Sequence, residues 1–251
     1  MSIFRISKPL ALLHDAPSHD TTCVSEALYG ERVTLLETHD QWIYARQHHD
    51  EYEGFIHSDV LAPVDDSYRA ATHWVEQRST LLFSEPDIKS QVMHRIPFAS
   101  ELTLTAINGS SFSKTHCGFF VWTDHCLSLG TPHSMSVIEL AKSHFLGAPY
   151  LWGGRSPEGL DCSGFIQLLA RSQGISIPRD SGDQEKSNNN TVLENQLQLS
   201  DIVYWPGHTG LLLDSQTVLH STAHSLSCVA EPLGDIIDRA GTPSSYKRLF
   251  T

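Results

Sequence analysis

Between residues 10 and 63 short apolar runs of β character alternate with polar turns: LALL, ERVTLLE, QWIYARQ and EGFIHSDVL. Runs of this length, alternating apolar and polar positions and bounded by turn formers, predict a small all-β barrel. The pattern then returns. TLLFSEP resembles ALLHDAP, ASELTLTA resembles YGERVTLLE, and GFFVWTDHCL resembles GFIHSDVLAP. Gly54 and Gly118 lie 64 residues apart, and Leu13 and Leu82 lie 69 apart. Self-similarity at a nearly fixed offset points to two copies of one barrel, with VDDSYRAAT, residues 64–72, as the linker between them.

After Gly130 the period changes. Ser136 and Glu139 form a capping box, and Val137, Leu140, Ala141 and Phe145 recur at helical spacing. A helix of about three turns is predicted there, stopped by Gly147 and Pro149. The turn-rich YLWGGRSPEGLDC follows, then SGFIQLLARSQG, where Phe165, Leu168 and Leu169 form an apolar stripe. Asp161 stands at the N-cap of this second helix and Gly174 at its C-terminal stop. DIVYW, TGLLLD and TVLHS read as antiparallel strands. Helix, helix, strands is an α+β order.

Composition narrows the classes of function. The chain has 251 residues, 40% hydrophobic and 18% charged, which suits two or three small globular domains better than one large one. With 17 basic against 29 acidic residues and a net charge of −12, neither a nucleic acid nor an anionic membrane is an expected partner. The apolar run Pro9 to Leu13 is interrupted by His14 and Asp15 and is too short for a secretory core. No stretch of about 18 apolar residues offers a membrane helix. A cytoplasmic location is therefore expected. The five cysteines are odd in number and scattered, which argues against a disulfide framework and against a C-x-x-C metal site. The neighbours His116, Cys117, His125 and Cys126 make a poor metal cluster, because adjacent residues on a strand point to opposite faces. No metal or cofactor is expected.

Cys162 is the residue that brings chemistry. At the first turn of a helix a thiol meets unpaired N–H groups and the positive end of the dipole, which favour the attacking thiolate. Gly153, Gly154 and Gly159 in the preceding loop permit close backbone approach, as a site needs. A base is also required. His208, in PGHTGLLLD between Gly207 and Gly210, starts a predicted strand, and His220 follows twelve residues later in TVLHST. A hairpin turning near Asp214 and Ser215 brings the two rings together, so that one orients the other. The other histidines, His14, His39, His48, His49 and His73 among them, read as ordinary surface or core residues.

These residues carry a family resemblance. PYLWGGRSPEGLDCSGFIQLLARSQGISIPRDSGDQ resembles the signature of NlpC-type cysteine peptidases, with its Y-x-W-G-G, D-C-S-G and P-R-D-S-x-x-Q blocks in order. LSDIVYWPGHTGLLLD resembles their G-D-[LI]-V-x-[FW]…H-V-G-[IL] block, with Ser200 in place of the family glycine. The barrels resemble bacterial SH3-type domains. The resemblance implies two small all-β SH3-like barrels, residues 1–65 and 73–128, followed by an α+β papain-like cysteine peptidase domain, residues 132–251. It implies Cys162 as nucleophile, His208 as base, His220 as the residue that orients it, and Tyr150 in the oxyanion region, where the alternative is an aromatic packing the glycine turn. Asp161, Ser163 and Ser181 match positions that hold the free α-amine of an N-terminal L-alanine and the adjacent D-glutamate, although Asp161 also suits a plain N-cap. Tyr52 matches a first-barrel tyrosine that reaches the cleft, with Glu26 or Glu31 as a further acid and an ordinary strand aromatic as the alternative. Trp152 and Trp205 read as core residues, and Asn188, Asn189 and Asn190 as a solvated loop.

The implied activity is hydrolysis of the γ-D-glutamyl to diamino acid bond, the diamino acid being diaminopimelate or Lys, in muropeptides with a free N-terminal L-Ala, in peptidoglycan recycling. Two rivals use the same residues: a non-catalytic cell-wall-binding protein, and a thiol acyltransferase on the same scaffold.

Overall fold

In the computed structural model, residues 2–64 and 70–250 are described, and the chain divides into two compact units, Met1–Thr131 and Pro132–Thr251. Asp65 to Arg69, most of the expected linker, lie outside the described residues.

In the first unit β1 (Ile3–Ile6), β2 (Leu10–His14), β3 (Cys23–Leu28), β4 (Arg32–His39), β5 (Trp42–Gln47), β6 (Glu53–His57) and β7 (Leu61–Pro63) form an antiparallel sheet in the order β3-β2-β6-β5-β4-β1-β7. Ala11 and Leu13 point inward while Leu12 faces solvent, the period-two pattern that marked this segment as a strand. They pack with Ile6, Ala27, Val33, Ile43, Ala45 and Ile56. The strands β1 and β3 were not among the predicted runs.

The second half of this unit contains β8 (His73–Val75), β9 (Ser79–Phe83), β10 (Val92–Pro97), β11 (Glu101–Leu102), β12 (Leu104–Ala106), β13 (Phe112–Thr115), β14 (Phe120–Trp122) and β15 (Cys126–Ser128). They divide into a sheet ordered β10-β9-β14-β13-β12 and another ordered β11-β8-β15. ASELTLTA is thus not one strand: the chain changes sheets at Thr103, because Leu102 pairs with His73 whereas Leu104 pairs with Thr115. Tyr29 of the first half joins Val75, Leu82, Ile96, Leu102 and Val121 in one apolar cluster. Gly30, at φ +82°, lies so close to the Glu101 carbonyl that a Cβ would collide with it, and Glu101 N–H donates to the Tyr29 carbonyl at 2.8 Å.

The second unit runs α1 (Val137–His144), β16 (Arg155–Ser156), β17 (Gly159–Leu160), α2 (Cys162–Ser172), α3 (Ser181–Ser187), β18 (Ile202–Trp205), β19 (His208–Leu212), β20 (Thr217–Thr222), β21 (Ser227–Pro232), α4 (Leu233–Ala240) and β22 (Ser245–Lys247). The Ser136–Glu139 capping box forms as expected, but α1 ends at His144 with Phe145 at its C-cap, a turn shorter than its periodicity suggested. β16 and β17 pair with each other, and the other strands make an antiparallel sheet ordered β21-β20-β19-β18-β22. Helix α2 packs against β19 and β20 and is buried on nearly all sides, from Cys162 to Ala170. A helix apolar only on one stripe lies at a surface, whereas one covered all round is a core element, so α2 holds its first residue rigidly.

Candidate active site

Cys162 opens α2, and Asp161 caps it by accepting the Gly164 N–H at 2.7 Å. The glycine loop rests directly on this helix start: a Cβ at Gly164 would strike the Gly154 carbonyl, and one at Gly154 would strike that of Gly159. Only backbone without side chains fits between. The sulfur receives hydrogen bonds from the backbone N–H groups of Thr209 and Ser163, which places it beside the residue following His208 at the start of β19. Burial nevertheless pushes the Cys162 thiol up to about 12, reinforced by the Asp161 carboxylate and opposed by the Thr209 N–H, Arg179 and the Ser163 N–H. With only 8% of its surface exposed, desolvation outweighs the helix tip and favours the thiol over the expected thiolate.

His208 and His220 meet as the hairpin required. Leu211 pairs with Leu219 and Leu212 with Val218, and Gly210 faces His220 so closely that a Cβ there would crowd it. With no side chain between them, the rings contact with centroids 4.9 Å apart, and His208 Nε2 lies 2.7 Å from His220 Nδ1. Nδ1 of His208 takes no part in this contact. Burial, then His220 and Arg239, push His208 down to about 4 against the pull of Glu231. Burial likewise lowers His220. A neutral imidazole is a competent proton acceptor.

Beyond the cap, Asp161 accepts from four further donors: Gly153 N–H (3.0 Å), Ser163 Oγ (3.2 Å), Arg179 Nη1 (3.0 Å) and Arg179 Nη2 (2.6 Å). Ser163 Oγ accepts in turn from Arg179 Nη1 at 2.9 Å. Ser181 begins α3, whose Gln184 side chain donates to the Ser163 and Pro178 carbonyls at 3.0 and 2.9 Å. Sequence reasoning had not singled out Arg179 or Gln184, although both stand in the PRDSGDQ segment. Tyr150 is held at the loop by N–H donation to Leu226 at 3.0 Å. Burial, with Cys162 and Asp161 nearby, pushes its phenol up to about 12 against Arg179, so it stays a hydrogen-bond donor near the sulfur, as an oxyanion requires.

Tyr52 belongs to the first unit, half-buried in the turn between β5 and β6, with its N–H donating to Asp50 at 3.1 Å. Glu26 and Glu31 are buried in that unit, and Glu31 accepts from the Leu28 N–H at 2.8 Å. Trp205 packs in the core as expected, with Nε1 donating to the Gly241 carbonyl at 2.8 Å. Trp152 does not: it is 65% exposed, because Gly153 and Gly154 bring the backbone, not the indole, against the helix. Asn188 and Asn190 do more than face solvent, since both amides donate to the Arg248 carbonyl and tie down the C-terminal segment.

A cysteine at the tip of a central helix that packs on an antiparallel sheet, one strand of which opens with a histidine paired to a second, is the arrangement of a papain-like cysteine peptidase. Residues 147–237 match the NlpC/P60 family and residues 13–61 the bacterial dipeptidyl-peptidase Sh3 domain. The second unit is therefore an NlpC/P60 domain, preceded by a bacterial SH3 domain. The chain is 27% identical to dipeptidyl-peptidase 6 of Lysinibacillus sphaericus over 239 residues, 85% of each chain. It is 27% identical to the gamma-D-glutamyl-L-lysine dipeptidyl-peptidase of Bacillus cereus over 237 residues, 83% of this chain and 70% of that one. A crystal structure of an NlpC/P60 family protein from Bacillus cereus shares the fold along both whole chains, with a TM-score of 0.85 at 21% identity.

Proposed function

We propose that the protein hydrolyses the γ-D-glutamyl to diamino acid bond of muropeptides bearing a free N-terminal L-alanine. The observation that carries this reading is the junction of Cys162, the Thr209 amide and the His208–His220 pair, joined to relatives named for γ-D-glutamyl-L-lysine cleavage. The Cys162 sulfur attacks the γ-carbonyl as its proton passes to His208 Nδ1, and Tyr150 donates to the developing oxyanion. Collapse breaks the C–N bond, and the His208 proton leaves with the amine. Water then attacks the thioester, giving one proton to His208; collapse breaks the C–S bond, His208 returns that proton to the sulfur, and the dipeptide leaves as a carboxylic acid that releases its remaining proton to solvent.

Asp161 and Ser163, which flank Cys162 in sequence, and Ser181 at the start of α3 are read as the residues that take the ammonium group. Residues 73–128 are read as a second SH3-type copy beside that of residues 1–65. A role in peptidoglycan recycling within the cytoplasm belongs to the same proposal. The test is incubation of the full chain with paired tripeptides, L-Ala-γ-D-Glu-diaminopimelate or -Lys, one form with a free amine and the other N-acetylated. Release of the free dipeptide and free diamino acid from the unblocked form alone is expected. Equal cleavage of both would remove the amine-recognition claim, and transfer to an added amine in place of hydrolysis would make the protein an acyltransferase.

A further inference from the structure

Behind the histidine pair stands a carboxylate. His220 is fully buried, and its Nε2 lies 2.9 Å from Oε2 of Glu231 on the neighbouring strand β21. His220 pairs with Val229 and Val218 with Glu231, so Glu231 is a diagonal neighbour of His220, within reach of a long side chain. Arg239 of α4 donates to the same Oε2 at 2.7 Å. Burial opposes ionisation of Glu231, but the hydrogen bonds from Arg239 and His220 outweigh it and hold the carboxyl below its usual range.

An ionised carboxylate only accepts hydrogen bonds. His220 must then carry a proton on Nε2, and a neutral His220 presents Nδ1 as an acceptor. Across the 2.7 Å contact His208 must donate from Nε2, which leaves Nδ1 as a lone pair for the thiol proton. An imidazole as the orienting residue is by itself ambivalent, since Nδ1 either donates or accepts. Donation from His220 would place the His208 proton on Nδ1 and remove the base. The charged and titratable groups acting on His220 are Glu231, Arg239, His224 and His208. Arg239 opposes protonation of both rings.

We propose that Glu231, held by Arg239, is a positioning residue that fixes the tautomers of His220 and, through it, of His208. This rests on reading Cys162 and His208 as nucleophile and base. The test is ¹⁵N NMR of the histidine rings in the full chain, alongside steady-state kinetics of E231M and E231Q. In the wild type both rings are expected to carry their proton on Nε2. E231M, of similar length without an acceptor oxygen, is expected to mix or reverse the tautomers and to lower kcat at least roughly tenfold, short of the roughly 10⁴-fold loss when a base has its tautomer reversed outright, with KM little changed. E231Q keeps an acceptor oxygen and is expected to restore the wild-type tautomers and most of kcat. A wild-type His208 protonated on Nδ1 would overturn the proposal even if E231M failed to fold, as would unchanged tautomers in folded E231M. Ring tautomers do not depend on the peptide, so a protein with the expected tautomers that cleaves no muropeptide would count against the substrate reading alone.

Discussion

Arg179 grips Asp161, the residue before Cys162, with both terminal nitrogens, at 3.0 and 2.6 Å. The guanidinium is almost wholly buried, so its charge is tolerable only because the carboxylate and the Ser163 hydroxyl meet it in fork geometry. The pair fixes the start of α2 to the segment leading into α3.

Removing one partner leaves a buried charge. Arg179→Ala is expected to destabilise the second unit by about 3–5 kcal/mol, seen as a lower denaturant midpoint, and Arg179→Lys is expected to recover only part because it cannot bind bidentately. Wild-type stability in Arg179→Ala would show the pair to be incidental.

The pH profile follows from a neutral resting pair. The proposed mechanism needs His208 unprotonated to receive the proton and Cys162 protonated to supply it. With His208 near 4 and Cys162 near 12, kcat/KM is expected to fall on the acid side only as pH drops toward about 4, and to stay level through neutrality. An acid limb at the ordinary imidazole value of about 6.5, or an ultraviolet thiolate band at neutral pH, would contradict it.

Gly210→Ala would place a methyl against Val218 and His220. If His220 orients the base as proposed, displacing it by a fraction of an ångström is expensive for catalysis. A loss of kcat of roughly tenfold to a hundredfold is expected, with KM nearly constant. Kinetics indistinguishable from wild type would mean the rings tolerate more movement than their 2.7 Å contact implies.

Ser200 replaces a family glycine, and the structure holds it at φ +66°, the left-handed conformation that glycine adopts at little cost. The serine therefore retains the turn with strain. Ser200→Gly is expected to stabilise the protein by about 0.5–1 kcal/mol, the left-handed penalty relieved less the entropy that glycine loses. Thermal melting reads it, and a lowered melting temperature would refute the strain.

The helix and hairpin that carry Cys162, His208 and His220 were legible because each had a local mark: an Asp cap, a glycine loop, and alternating runs around a turn. Helix α3, SGDQEKS, buries only Ser181 and Gln184; the Gln184 amide ties it to the Ser163 carbonyl of α2 and to the Pro178 carbonyl, which no periodicity announces. Helix α4 did leave a signal, in Leu233, Ile236 and Ile237 at helical spacing, and β21 beside it supplies Glu231. That carboxylate was missed because its importance lies in a contact across strands. The pull of burial on the sulfur was hidden for a similar reason: a helix tip shows in sequence, but the desolvation that opposes it comes from packing of α2 against β19 and β20.

The most direct measurement is mass spectrometry of the protein quenched during turnover of L-Ala-γ-D-Glu-diaminopimelate. The account predicts a dipeptidyl group on Cys162, with free diamino acid in solution and neither product from Cys162→Ala. Cleavage that persists in Cys162→Ala, or turnover that never loads Cys162, would contradict it.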